Sequence, residues 1–215
     1  MNRKTRRRMF GKNWRMLVLG VSLLNAPLLM APARAQNDAD IAGWKTEFQN
    51  APKADVAGAR AAYGALLEKL LPGMSAADYD TRARAQDAFE KAALNSARPG
   101  AEAERAGAVQ AILAKVGADT PQLAREWLLK QLEQIGKADA VPTLIGLIGD
   151  ADMVIRNRAL RGLASNSSPE AEAALLTALK GATAADSRIA LINPLAYRRS
   201  TAAVAPKRAK TAVGH

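Results

Sequence analysis

Ala124-Arg125-Glu126-Trp127-Leu128-Leu129-Lys130-Gln131-Leu132 and Ile155-Arg156-Asn157-Arg158-Ala159-Leu160-Arg161-Gly162-Leu163 are one helical phrase written twice. Superposed at an offset of 31 residues, Arg125 falls on Arg156, Leu129 on Leu160 and Leu132 on Leu163. The same offset carries Leu144-Ile145 onto Leu175-Leu176 and Ile148 onto Leu179, so a second helix recurs with the first. A third copy opens at an offset of 32, with Arg156 on Arg188, Ala159 on Leu191, Leu160 on Ile192 and Leu163 on Leu195. A fixed period of this size marks a stack of helical hairpins.

Within a unit the apolar residues keep helical spacing: Leu128, Leu132 and Ile135, then Val141, Leu144, Ile145 and Ile148. Thr120-Pro121, Asp139, Asp150 and Ser168-Pro169 stand where N-caps and first turns belong, and Gly136, Gly149 and Gly181 where helices should stop. Helices this short cannot bury an apolar stripe alone, so neighbours must share one core. The pattern predicts an all-α chain, an α-α superhelical solenoid of stacked helical hairpins preceded by a signal peptide.

The run Ala140-Val141-Pro142-Thr143-Leu144-Ile145-Gly146-Leu147-Ile148-Gly149-Asp150, followed by Val154 to Leu163, resembles HEAT repeats, in particular the short bacterial kind also seen in phycobilin-lyase-like proteins. The resemblance implies an α-α solenoid used in protein interaction and is nearly silent on chemistry.

Residues 1–35 carry eight basic and no acidic side chains and lead from Arg3-Lys4-Thr5-Arg6-Arg7-Arg8 into an apolar segment spanning Leu17 to Ala33. Asn25 and Pro27 break that segment, too short for a span of about 20 apolar residues. Ala33-Arg34-Ala35 gives the small-x-small pattern of a signal-peptidase site, with cleavage between Ala35 and Gln36. A periplasmic or secreted bacterial protein is expected, touching the membrane only transiently through its signal peptide. Arg7-Arg8-Met9-Phe10-Gly11-Lys12 resembles a twin-arginine signal, and the Sec route is equally open.

The high overall charge belongs largely to that segment. Without its eight cations, 23 basic residues face 20 acidic ones. No nucleic-acid partner is indicated. Cysteine is absent, which excludes disulfides and thiolate metal sites and is compatible with an oxidising compartment.

The expected organisation is a signal peptide over 1–35, a leader over 36–54 and degenerate or capping helices over 55–118. HEAT-like repeats over 119–197 and a basic, disordered tail over 198–215 complete it. In the leader, Trp44 and Phe48 stand at helical spacing and suggest a marginal helix. The helix after Asp55 is expected to stop at Pro72-Gly73. Another, capped by Ser75 or Asp78, should carry Tyr79, Phe89 and Leu94. Carried forward by the repeat offsets, Leu144, Ile145, Leu147 and Ile148 land on Lys207, Arg208, Lys210 and Thr211, so a further apolar helix is not encoded there. Either this is a capped end with a solvated tail, or the array once continued.

The single histidine is the last residue, and no nucleophile, phosphate-loop or metal-helix motif occurs. The carboxylate pairs Asp78/Asp80, Glu102/Glu104, Asp150/Asp152 and Glu170/Glu172 sit in turns and first helical turns, where the helix dipole favours them. No cofactor, metal or catalytic residue is assigned. The recurring Arg125, Arg156 and Arg188 form the candidate protein-binding ladder, or else satisfy carbonyls or acids of a neighbouring repeat. Arg158 and Arg161 extend that basic surface, and Trp127, without a repeat counterpart, is either an interface anchor or core.

Three functions are compatible: an exported, non-enzymatic scaffold for an unknown protein partner, the repeat region of a larger secreted enzyme such as a sugar-hydrolase-like protein, or a bilin lyase-like protein.

Overall fold

Asp55 starts the longest helix among the described residues, its carboxylate accepting the Gly58 N–H at 2.7 Å. The computed structural model describes residues 38–199, and that helix, α2, spans Val56–Met74. Its buried face is Ala59, Ala62, Tyr63, Leu66, Leu67, Leu70 and Met74, one stripe at three- and four-residue steps. Pro72 lies inside the last turn and does not end the helix as the sequence suggested. Gly73 and Met74 are buried beyond it, and their packing holds the turn that proline by itself disfavours.

Before it comes α1, Asp38–Asn50. Its Ile41, Trp44 and Phe48 pack on the core, and Phe48 meets Tyr63 edge to face with ring centres 4.8 Å apart. The Lys53 ammonium closes the helix end, donating to the carbonyls of Phe48, Ala51 and Gln49 at 2.5, 2.8 and 3.3 Å. The leader is therefore a docked helix.

After α2 come α3, Tyr79–Ser96, and α4, Glu102–Leu113. Asp78, not Ser75, caps α3, accepting the Thr81 N–H at 2.7 Å. The buried stripe of α3 is Ala85, Phe89, Ala93 and Ser96, while Tyr79 and Leu94 face solvent. Phe89 is buried as expected, but alanines fill the rest of the ridge, so Tyr79 and Leu94 were misleading guides. The turn between α3 and α4 needs Gly100, whose φ of 80° is left-handed. Where α4 crosses α2, Gly107 sits so close that a Cβ on it would stand 2.5 Å from Ala59 Cβ and 2.7 Å from the Val56 carbonyl oxygen.

The repeats follow as α5, Gln122–Ile135, a 3₁₀ turn at Ala138–Ala140, α6, Val141–Leu147, α7, Met153–Ser165, α8, Pro169–Gly181, and α9, Ala185–Tyr197. Helix α5 packs on α7, and α7 on α9, while α6 packs on α8. The described residues are all-helical, and this layering is solenoid-like. One apolar cluster runs from Tyr63 through Phe89, Leu128, Leu144 and Ile155 to Leu195, so every layer contributes to the same core. Each fully buried leucine in it contributes about 2 kcal/mol. Pro194 is accommodated within α9, buried, with the helix continuing to Tyr197.

The signal segment with its Ala35/Gln36 junction, and the tail from 200 onward, lie outside the described residues. Arg198, assigned by sequence to a loose tail, is held instead: it donates to the carbonyls of Leu163, Asn166 and Ser168, the first at 3.1 Å and the last at 2.9 Å. Those carbonyls end α7 and begin α8, and the guanidinium fork fits their convergence.

Candidate interaction surface

The repeated arginine enters its helix one turn after the start, four residues past the capping position. From there a long side chain reaches back to the loop that precedes its own helix. Arg156 Nη1 donates to the carbonyls of Asp150 and Ala151 at 2.7 and 2.9 Å, and Arg188 Nη1 to that of Ala182 at 3.2 Å. Arg125 Nε donates to the Val116 carbonyl at 3.0 Å, and its Nη2 to Asp150 Oδ2 at 2.6 Å. Arg125 is only 7 % exposed. The structure thus puts the three arginines at one equivalent position, but Arg125 is not a surface group and Arg156 is committed to backbone. Buried carbonyls need donors, and these cations supply them.

Arg82 belongs to the same set. Its Nη1 donates to the carbonyls of Ala76 and Ala77 at 2.6 and 3.1 Å. Spaced 43 residues from Arg125, it is missed by a 31-residue superposition. The recoverable signal was Asp78 four residues before Arg82, the same cap-and-arginine spacing as Asp152 and Arg156. Asp152 caps α7 by accepting the Val154 N–H at 2.8 Å. Asp150, expected as a cap, accepts the Asp152 N–H at 2.9 Å and Arg125 as well, whereas Asp139 accepts Arg105, which reaches its Oδ2 at 3.0 Å and the Ile135 carbonyl at 3.0 Å.

The Arg125 guanidinium, followed by the Asp152 N–H, holds the Asp150 carboxyl below its ordinary range. A depressed folded-state value means that this stabilisation is complete above the unfolded value, about 3.9, and is lost as pH falls through the folded one. Asp150→Asn is therefore expected to lower the urea midpoint at neutral pH, with the gap to wild type closing as pH drops below about 4. A gap independent of pH would show that the contact is not ionic.

Arg158 bridges layers. On α7, its Nη2 and Nε donate to Glu126 Oε1 on α5 at 2.8 and 3.2 Å, and its Nη1 approaches Glu133 at 3.5 Å. Arg161 is exposed and has no partner among the described residues. Trp127 is half-buried against the core, with Lys130 Nζ 4.0 Å above its ring and its indole N–H without an acceptor. The six residues singled out in the sequence therefore do not converge on one site. Most of them bind the layers together.

Open space lies elsewhere, between α1, α2 and α3. A groove of about 410 Å³ has Ile41, Phe48, Leu66 and Leu70 in its floor and Lys45, Arg84, Asp87 and Lys91 on its rim. Ala88 and Ala92 leave it open along α3. Sequence reasoning had no access to it, because its walls come from three helices with no shared motif. Among the described residues, no group of three or more acidic or histidine side chains could hold a metal ion, and no helix is long and apolar enough to cross a membrane.

Residues 105–196 match the family model for HEAT repeats. Over that stretch the chain is HEAT-like. The match begins inside α4 and ends inside α9, so it takes in the Arg125, Arg156 and Arg188 layers together with most of α4 and leaves Arg82 on α3 outside. No curated protein matches the chain.

Proposed function

We propose that this chain is an exported HEAT-repeat scaffold that binds another protein, without catalysis of its own, through the groove between α1, α2 and α3. The observation that carries the reading is that apolar side chains of three helices line open space there under a charged rim, as a partner helix requires. HEAT repeats support a scaffold role, since such arrays present extended surfaces on a rigid stack. Export rests on residues 1–35, whose basic start, broken apolar segment and Ala33-Arg34-Ala35 end have the order of a cleaved signal. The binding residues are then Ile41, Phe48, Ala88 and Ala92, with Lys45 on the rim and Lys91 paired to Asp87 at 2.7 Å. The arginine ladder acts as the frame.

A photo-crosslinking amino acid placed at Ala88 in the producing cell tests the site, with the same group at Thr177, exposed on α8, as the control. The expected result is a discrete adduct at Ala88 alone, abolished by Ala92→Arg, with helicity retained. Equal labelling at both positions would sink the groove assignment. The mature protein should begin at Gln36 by intact mass, outside the cytoplasm; a chain starting at Met1 in the cytosol rules out export.

A further inference from the structure

Every layer of the array has a stacking face, and its cover can be followed through the repeats. Leu129 on α5 is 0 % exposed beneath α7, its counterpart Leu160 on α7 is half-buried beneath α9, and the next counterpart, Ile192 on α9, is 45 % exposed. Beside it Ile189 is 57 % exposed where α5 has Glu126 and α7 has Asn157. One position that is polar in the two preceding layers has thus become isoleucine on α9, beside an apolar position that is covered in them.

The open stripe is Ala185, Ile189, Ile192 and Ala196, all exposed. These positions fall within one narrow line along a helix. Its order is small, isoleucine, isoleucine, small, at steps of four, three and four, so it reads the same in both directions. Under a two-fold axis between positions 190 and 191, Ala185 faces Ala196 of a second copy and Ile189 faces its Ile192. The alanines let antiparallel helices approach at both ends while the isoleucines fill the middle.

The flanks agree. A two-fold axis of this kind brings like flanks together, and Asp186 and Tyr197 lie on the same flank at opposite ends of α9. Each is exposed and without a partner among the described residues. Asp186 of one copy thus stands near the level of Tyr197 of the other, where the phenol can donate to the carboxylate. On the other flank the Arg188 guanidinium is drawn back to the Ala182 carbonyl, away from the axis, so like charges are not opposed there.

We propose that α9 is a self-association surface, on which a second copy of this chain docks antiparallel through Ala185, Ile189, Ile192 and Ala196. One helix pair is a small interface, so the dimer is reversible and concentration-dependent.

The absence of cysteine makes the register testable. The full chain is prepared as Ala185→Cys and, separately, as Ala196→Cys. In the antiparallel register position 185 meets 196 of the other copy, whereas 185 and 185 are about 16 Å apart along the axis, beyond disulfide reach. Mild oxidation of the mixture is expected to give the mixed disulfide dimer, and either variant alone to give little. Equal crosslinking in all three samples overturns the register.

Sedimentation of the full chain supplies the second readout. Wild type is expected to rise toward twice the monomer mass with concentration, and Ile189→Glu and Ile192→Glu to weaken this at least about tenfold with helicity unchanged. Wild type that stays monomeric, or association that survives both glutamates, overturns the proposal, the latter by placing the contact elsewhere.

Discussion

Gly107→Ala is expected to cost about 3 kcal/mol, although alanine is the better helix former by about 1 kcal/mol. The new Cβ would stand 2.5 Å from Ala59 Cβ, 2.6 Å from the Arg60 nitrogen and 2.7 Å from the Val56 oxygen. Two of those three atoms are backbone in the first turns of α2, so no rotamer change relieves the clash and α4 must lift from α2. Gly64→Ala makes the matched control. It also lies inside α2, but a Cβ there meets nothing within 4 Å, so the substitution should stabilise by about 0.5–1 kcal/mol. Urea unfolding followed by helical ellipticity measures both. A Gly107→Ala protein as stable as Gly64→Ala would mean that α2 and α4 are not packed this closely.

Arg125→Ala is expected to cost about 3 kcal/mol and Arg188→Ala less than about 0.5 kcal/mol, although the two occupy the same place in the repeat. Removing Arg125 leaves the Val116 carbonyl without its donor and Asp150 without its cation. Asp150 keeps the Asp152 N–H and some water, which holds the loss near the lower end for a buried pair. Arg188 is exposed and makes one long bond, so water replaces it. Arg125→Lys should recover little, since one ammonium cannot reproduce the Nε and Nη2 directions together. Unfolding midpoints of the three variants decide this. If Arg125→Ala left stability intact while Ala88 crosslinking disappeared, the ladder would be a binding surface after all.

The repeat was legible because its message is local. Leu128, Leu132, Ile135, Leu144 and Ile155 keep a helical period, and a period of 31 residues cannot arise from one isolated helix. All five are buried. The same reasoning held on α3 for Phe89 and failed for Leu94, since Ala85 and Ala93 complete the ridge. Helices that pack closely use small residues, and size then stops being a guide to burial. Caps were half legible: Asp78 and Asp152 bind N–H groups of the turn that follows them, and Asp150 binds both such an N–H and an arginine from a distant helix, but Asp139, alike in sequence, turns to Arg105.

The residues proposed for binding were the least legible. Arginine at a fixed repeat position can face solvent or fold back on its own loop, and only the path of the preceding chain decides which. Arg105, Arg158 and Arg198 show the same thing across layers, each finding acceptors about thirty residues away in the chain.

The sequence by itself determined the helices, their period and the apolar side of each repeat, because helix propensity, caps and three-to-four-residue spacing act within one or two turns of chain. It also determined the chemistry that could be present, with one terminal histidine and no cysteine. Tertiary structure alone decided that the arginines brace the stack, that α1 closes a groove over α2 and α3, and that α9 shows its isoleucines to solvent. These depend on which surfaces meet, and meeting is a property of distances between helices far apart in the chain.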